Sequence, residues 1–159
     1  MTSLFEAFQS FLQRHFEAEI APLEDGNLVF RMEDEEGHEW GCLGWVVEEL
    51  GQVMFYSVLL ETTPADRLDE LMRFTTMANY NMQIGNFELD LDDGEVRFKT
   101  SIDVDEATLS DALFRNLVEV NLAMMSRYYT GLVAVLHGAL TAREAISAIE
   151  DGGGPLYEN

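Results

Sequence analysis

Gly85 to Val104 reads GNFELDLDDGEVRFKTSIDV, and no other stretch restricts the fold as tightly. Apolar and polar residues alternate on both sides of an acidic, glycine-containing centre, which calls for two antiparallel strands. Asp93-Gly94 has the composition of a two-residue type I′ turn, which needs φ > 0 at both central positions. With the turn there, Leu91 opposes Val96, Asp90 opposes Arg97, Leu89 opposes Phe98, Glu88 opposes Lys99 and Phe87 opposes Thr100. Phe87, Leu89, Leu91, Val96 and Phe98 then share one face. Acid–base pairs fill the other, each worth roughly 0.2–1 kcal/mol. Such a hairpin has one dry and one wet face and holds no catalytic set.

The flanking chain reads as helices and further strands. Ser3 and Glu6 have capping-box spacing, and Leu4, Phe8, Phe11, Leu12 and Phe16 fall on one helical stripe, so a first helix is expected over about Ser3–Ala18. Strands are expected over Asn27–Glu33, Glu39–Val47 and Gln52–Leu60, the last two joined by a turn at Leu50-Gly51. Thr63, Pro64 and Asp66 signal a second helix that fails near Asn79-Tyr80-Asn81. A third, apolar around most of its circumference, is expected from Thr108 to an interruption at Gly131. A last short one follows the Thr141/Glu144 capping box. The order α-β-β-β-α-β-β-α implies an α+β fold with an antiparallel sheet. Residues 1–151 read as one domain, and 152–159 as a loose glycine-led tail.

Strands two and three are apolar on both sides. Leu43, Trp45 and Val47 share a face with Met54, Tyr56 and Val58; Trp40, Gly44 and Val46 share the other with Val53 and Phe55. A sheet covered once alternates apolar and polar, so two covers are expected. One is the chain's own helices. The other is a partner, a second subunit or a terminal helix wrapped over. An equal-length hairpin brings Arg31 beside the Trp40 side, so Trp40, Val46, Val53 and Phe55 are the expected partner-contact face.

Thirty acids against nine bases give a formal charge of −21. That opposes direct contact with nucleic-acid phosphates or anionic membrane surfaces and attracts basic partners, a nucleic-acid-binding protein among them. No apolar run reaches the roughly 18 residues of a membrane span. Glu6 and Gln9 stand where a signal peptide carries bases and then an apolar run, so a cytoplasmic location is expected. The single Cys42 fits a reducing compartment.

Catalytic and metal signatures are weak. His38 and Cys42 share one side of a strand with no second pair beside them. Asp90, Asp92, Asp93 and Glu95 miss the calcium-loop spacing, with Gly94 fifth from Asp90 and Ser101 at the twelfth place. No nucleotide-binding glycine loop or Gly-x-Ser-x-Gly elbow occurs. No catalytic residue, metal ligand or cofactor is assigned.

Asn79-Tyr80, Ile84 through Asp90, Gly94 through Asp103, Arg127-Tyr128-Tyr129 and Gly131 through Val135 together resemble the YbjN-type domain of bacterial sensory-transduction regulators. The resemblance implies a fold like that of type III secretion chaperones, which are small, acidic, usually dimeric and hold client segments on an apolar surface. The expectation is a non-enzymatic chaperone-like or adaptor module, homodimeric, that binds a partner protein through a basic or apolar segment. The alternatives are a small-molecule-binding regulatory domain and an enzyme with a carboxylate site.

Overall fold

The structure, a computed structural model, describes residues 1–105 and 109–152. In chain order it runs α1 (Leu4–His15), β1 (Ala21–Pro22), β2 (Asn27–Glu33), β3 (Glu39–Val47), β4 (Gln52–Val58), α2 (Leu68–Asn79), β5 (Asn86–Leu89), β6 (Val96–Asp103), α3 (Asp111–Leu136) and α4 (Ala142–Glu150). Among the described residues the six strands form one antiparallel sheet in the order β1-β2-β3-β4-β6-β5. This is the expected α+β architecture, with the two-residue β1 added at one edge. The tail expected over 152–159 lies, apart from Gly152, outside the described residues.

Local chemistry sets the element ends. The Ser3/Glu6 and Thr141/Glu144 capping boxes both form. The β3–β4 loop reaches back to α1, where the Glu48 carboxylate accepts the N–H groups of Leu4 at 2.7 Å and Phe5 at 3.0 Å. That satisfies two orphan donors and places negative charge at the positive end of the helix. α3 ends in a Schellman motif: Gly138 (φ +76°) donates to Val135 O at 3.1 Å, and Ala139 donates to Ala134 O at 2.8 Å.

Several boundaries depart from the sequence reading. Thr63 does not cap α2; a 3-10 turn at Ala65–Arg67 intervenes, and the Thr63 N–H is instead given to Gly94 O at 2.8 Å. The expected cap at Thr108 lies outside the described residues; Ser110 caps the observed helix, accepting from Leu113 N. Gly131 does not interrupt α3. A Cβ there would meet Ile149 Cδ1 at 2.5 Å, so this glycine lets α4 pack closely.

The β5–β6 register is Leu89↔Val96, Glu88↔Arg97, Phe87↔Phe98, two residues from that expected. Asp93 is not at positive φ, and the turn is longer. Asp90 N–H bonds Glu95 O, Gly94 N–H returns to Asp90 O, and only Gly94 (φ +79°) is left-handed. The aspartates decide this. Asp90 Oδ1 accepts from Asp92 N and Asp93 Oδ1 from Glu95 N, both at 2.8 Å, which are Asx turns. A shift of two leaves every side chain on its face, so Phe87, Val96 and Phe98 are buried as expected.

The described helices lie against one face of the sheet. Phe8 and Phe11 of α1 pack against Phe114 of α3, and Phe74 of α2 packs edge-on against Phe87 and Tyr128. α3 crosses β4 and β6 through one buried polar hub. The Asn121 amide donates to Phe55 O, Phe98 O and Thr100 Oγ1 and accepts from Ser57 Oγ at 2.6 Å.

Candidate functional site: the outward face of the sheet

The other face carries none of these helices. Its side chains stand in cross-strand rows: Asn27–Trp45–Met54–Ser101, Val29–Leu43–Tyr56–Lys99–Asn86 and Arg31–Gly41–Val58–Arg97–Glu88. The middle of each row is apolar. Val29, Leu43, Met54 and Val58 are half-buried, and Trp45 is 43 % exposed, large for an indole paired on both sides within a sheet. Tyr56, at the centre of the face, is buried at 2 % exposed; the open apolar surface is the Trp45 indole with the partly exposed residues around it, a combination found at interaction sites.

β3 supplies the geometry through two glycines on opposite faces. Gly44 points inward, and a Cβ there would meet Phe8 Cε1 at 2.7 Å, so the α1 ring fills that socket. Gly41 points outward, and a Cβ there would find nothing nearer than Val58 O at 3.7 Å and Leu60 Cδ2 at 3.8 Å. Gly41 thus opens the floor of a shallow apolar hollow of about 670 Å³, lined by Ala18, Glu19, Val29, Arg31, Leu43 and Val58 among others.

The rim is charged and uneven. At the hollow's end Glu33 and Glu39 sit directly opposite each other across β2 and β3, with Arg31 donating to Glu39 at 3.1 Å. Like charges in cross-strand register are unfavourable. At the other side Arg97 lies 4.4 Å over the Tyr56 ring and pairs with Glu88 at 3.4 Å. Burial raises the Tyr56 phenol pKa and Arg97 opposes the rise. Lys99, the chain's one lysine, stands in the same row as Leu43 and Tyr56.

The residues expected to touch a partner lie on the opposite side. Trp40, Val53 and Phe55 are 1, 0 and 0 % exposed in the core, and Val46 packs against that core. In the folded chain Trp40, Val53 and Phe55 offer no free surface, and the outward face is the one the described helices leave open. The β2–β3 register also differs from that expected. Asp34 N–H bonds His38 O around the three-residue loop Glu35-Glu36-Gly37, with Gly37 at φ +84°. That odd loop pairs Arg31 with Gly41 rather than placing it beside Trp40. The face grouping itself stands, and the signal overlooked was Gly41, a side-chain vacancy inside an otherwise large-residue strand.

Two further clusters carry polar chemistry. Under the β2–β3 loop, Ser126 Oγ donates to Asp34 Oδ2 at 2.6 Å and His38 Nδ1 lies 2.8 Å from the same oxygen. His38 stacks on Tyr129. Burial pushes the Asp34 carboxyl up, but hydrogen bonds from Ser126, the His38 N–H and ring and the Glu36 N–H outweigh it and hold the pKa at about 2. Ser126 is committed to the carboxylate rather than presented to the imidazole, so the group anchors the loop to α3. Cys42, which shares the strand side of His38, is a buried thiol pushed up to about 12 by burial. The second cluster is a groove of about 780 Å³ between α2 and the start of α4, lined by Arg73, Arg143, Thr76 and Met77 among others. Glu70 occupies its end and accepts the Ala142 N–H at 2.8 Å. Among the described residues no cluster of three or more His, Cys, Asp or Glu side chains has metal-holding geometry, and no helix is long and apolar enough to cross a membrane.

Residues 8–134 match the family model YbjN, whose description is "Putative bacterial sensory transduction regulator". No curated protein matches the chain.

Proposed function

The chain belongs to the YbjN family, and from that premise we propose that it is a non-enzymatic regulatory module, of adaptor or chaperone type, that captures a segment of a partner protein on the outward face of its sheet. The observation that carries this reading is the Gly41 hollow: an apolar socket on the face that the described helices leave open. The occupant that fits is an apolar side chain entering the hollow, flanked by Lys or Arg. Basic neighbours relieve the Glu33–Glu39 opposition and are drawn by the −21 charge. A nucleic-acid-binding protein would carry such a segment. The reading places the chain in the cytoplasm, where its buried free thiol is at home.

Gly41→Val fills the hollow without touching the core, and Trp45→Ala removes the exposed indole. The test is retention of proteins from a lysate of the source organism by wild type and by both variants. Wild type is expected to retain a defined partner at low salt and release it near about 0.5 M salt, where the Debye length is only a few ångströms. Both variants are expected to retain at least tenfold less. Equal retention by all three rejects the reading. A small-molecule sensor is the second reading, favoured by the α2–α4 groove. Thermal stabilisation by a metabolite that is abolished by Arg73→Ala separates it from the first.

A further inference from the structure

We infer that the outward face is closed at rest by a second copy of the chain, packed sheet to sheet across a two-fold axis at Leu43. The inference deepens the reading that this face is the working surface and adds its regulation: the partner segment competes with self-association.

The argument starts from β3. Trp45, the exposed knob, and Gly41, the empty socket, both point outward and lie two residues either side of Leu43. A two-fold axis running between the sheets, across the strands at Leu43, lays β3 antiparallel over its own copy. Trp45 then stands over the partner copy's Gly41 hollow, and Gly41 receives the other Trp45. An isologous interface needs this reciprocity, in which residue i meets j and j meets i. The hollow, about 670 Å³, has room for an indole, and its Val29, Leu43 and Val58 walls are apolar. The same axis sets Met54 over Val58, both apolar and both half-buried. Aligned packing of two sheets at about 10 Å separation is an ordinary arrangement for faces of this composition.

Size and charge set the strength. The long strands span about 23 Å, and the five strands from β2 to β5 span about 20–24 Å across, on the order of 500 Å² in flat projection. A stable complex buries about 800 Å² per partner. The face falls short of that figure, so the dimer is reversible and not obligate. Each copy carries −21, and Lys99, in the row of Leu43, meets its own copy at the rim. Like charge therefore weakens the dimer, and salt strengthens it. A basic partner responds to salt in the opposite direction, so the two occupants are distinguishable without identifying the partner.

The test is sedimentation equilibrium of the purified chain at about 0.05 and 0.5 M salt, alongside the emission maximum of Trp45 in a Trp40→Phe background. Wild type is expected to dimerise with a dissociation constant on the order of 10 μM at high salt, several-fold weaker at low salt. Its indole emission is expected to shift blue with concentration. Trp45→Ala and Gly41→Val, both on the surface, are each expected to weaken the dimer at least tenfold. Leu50→Ala, exposed but off this face, is expected to leave it unchanged. A chain monomeric to about 1 mM at both salts, or a dimer indifferent to both surface variants, overturns the inference. A monomer that still captures its partner through Trp45 overturns only the self-association and leaves the partner reading standing.

Discussion

At the scale of single residues, two glycines with equally tight surroundings predict opposite outcomes. A Cβ on Gly94, at φ +79°, would lie 2.4 Å from Thr63 O, a backbone atom of the residue whose N–H is bonded to Gly94 O. Neither strain nor clash has an escape. Gly94→Ala is expected to lower unfolding free energy by about 2–3 kcal/mol. A Cβ on Gly131 would meet Ile149 Cδ1 at 2.5 Å, but that atom is the free end of a side chain, and the position is helical. Alanine there gains about 1 kcal/mol of helix propensity, which offsets the repacking, so Gly131→Ala is expected to be neutral within about 1 kcal/mol. Urea denaturation of the two variants side by side checks both; a larger loss at Gly131 would show that α4 cannot yield. Both glycines read as breakers in the sequence. Gly94 is one. Gly131 is a contact, and its reason lies at residue 149, beyond the reach of local pattern.

At the scale of elements, α3 is joined to the sheet by Asn121 as well as by apolar packing. Its amide links Phe55 O of β4, Phe98 O of β6 and two hydroxyls in a buried, hydrogen-bonded group. Asn121→Leu leaves the Ser57 hydroxyl without its acceptor and removes the amide donor from both carbonyls. A cost of about 3 kcal/mol is expected, read as a fall in denaturant midpoint with unchanged slope. An unchanged midpoint would mean that packing alone holds the helix. No sequence signal pointed to this hub, because asparagine in a 26-residue helix reads as a solvent-facing residue. Elements whose signals are local were legible: β2 from alternation, α1 and α4 from their capping boxes. Registers were not. The β5–β6 shift of two was harmless to the faces, whereas the odd β2–β3 loop moved Arg31 across the sheet. Both faces of β3 are apolar, so composition alone could not say which one the helices take. The contact that decides it, Phe8 in the Gly44 socket, joins residues 36 positions apart.

For the whole molecule, acidity sets two opposing trends with pH. Self-repulsion at −21 relaxes as carboxylates titrate, so stability is expected to rise from pH 7 toward about pH 5. The carboxyls with depressed folded-state pKa act the other way: Asp34, held at about 2 despite its burial, with Asp103 and Glu144, both lowered mainly by backbone hydrogen bonds. A depressed carboxylate contributes stability that is full above its unfolded pKa and is lost as pH falls through that value toward the folded one. For Asp34 the window runs from its ordinary 3.8 down to about 2. Stability against pH is therefore expected to peak at about pH 5 and to fall below about pH 4. In Asp34→Asn the acid limb is expected to be shallower. Denaturation midpoints across pH 3–7 at dilute protein check this, and a monotonic rise to pH 3 would mean that repulsion outweighs the anchored carboxylates throughout.

The single lysine has a practical consequence. Besides the N-terminal amine, Lys99 is the one primary amine in the chain, and it stands in the row of Leu43 and Tyr56. Amine-reactive dyes, biotin esters and carboxymethyl-dextran coupling that do not take the N-terminal amine will be directed to the outward face. A chain immobilised that way presents its helices to solution and hides its sheet, and its binding would be scored as absent. Attachment through an engineered thiol on α4 leaves the face free, and the difference in signal between the two orientations is itself a map of where binding occurs.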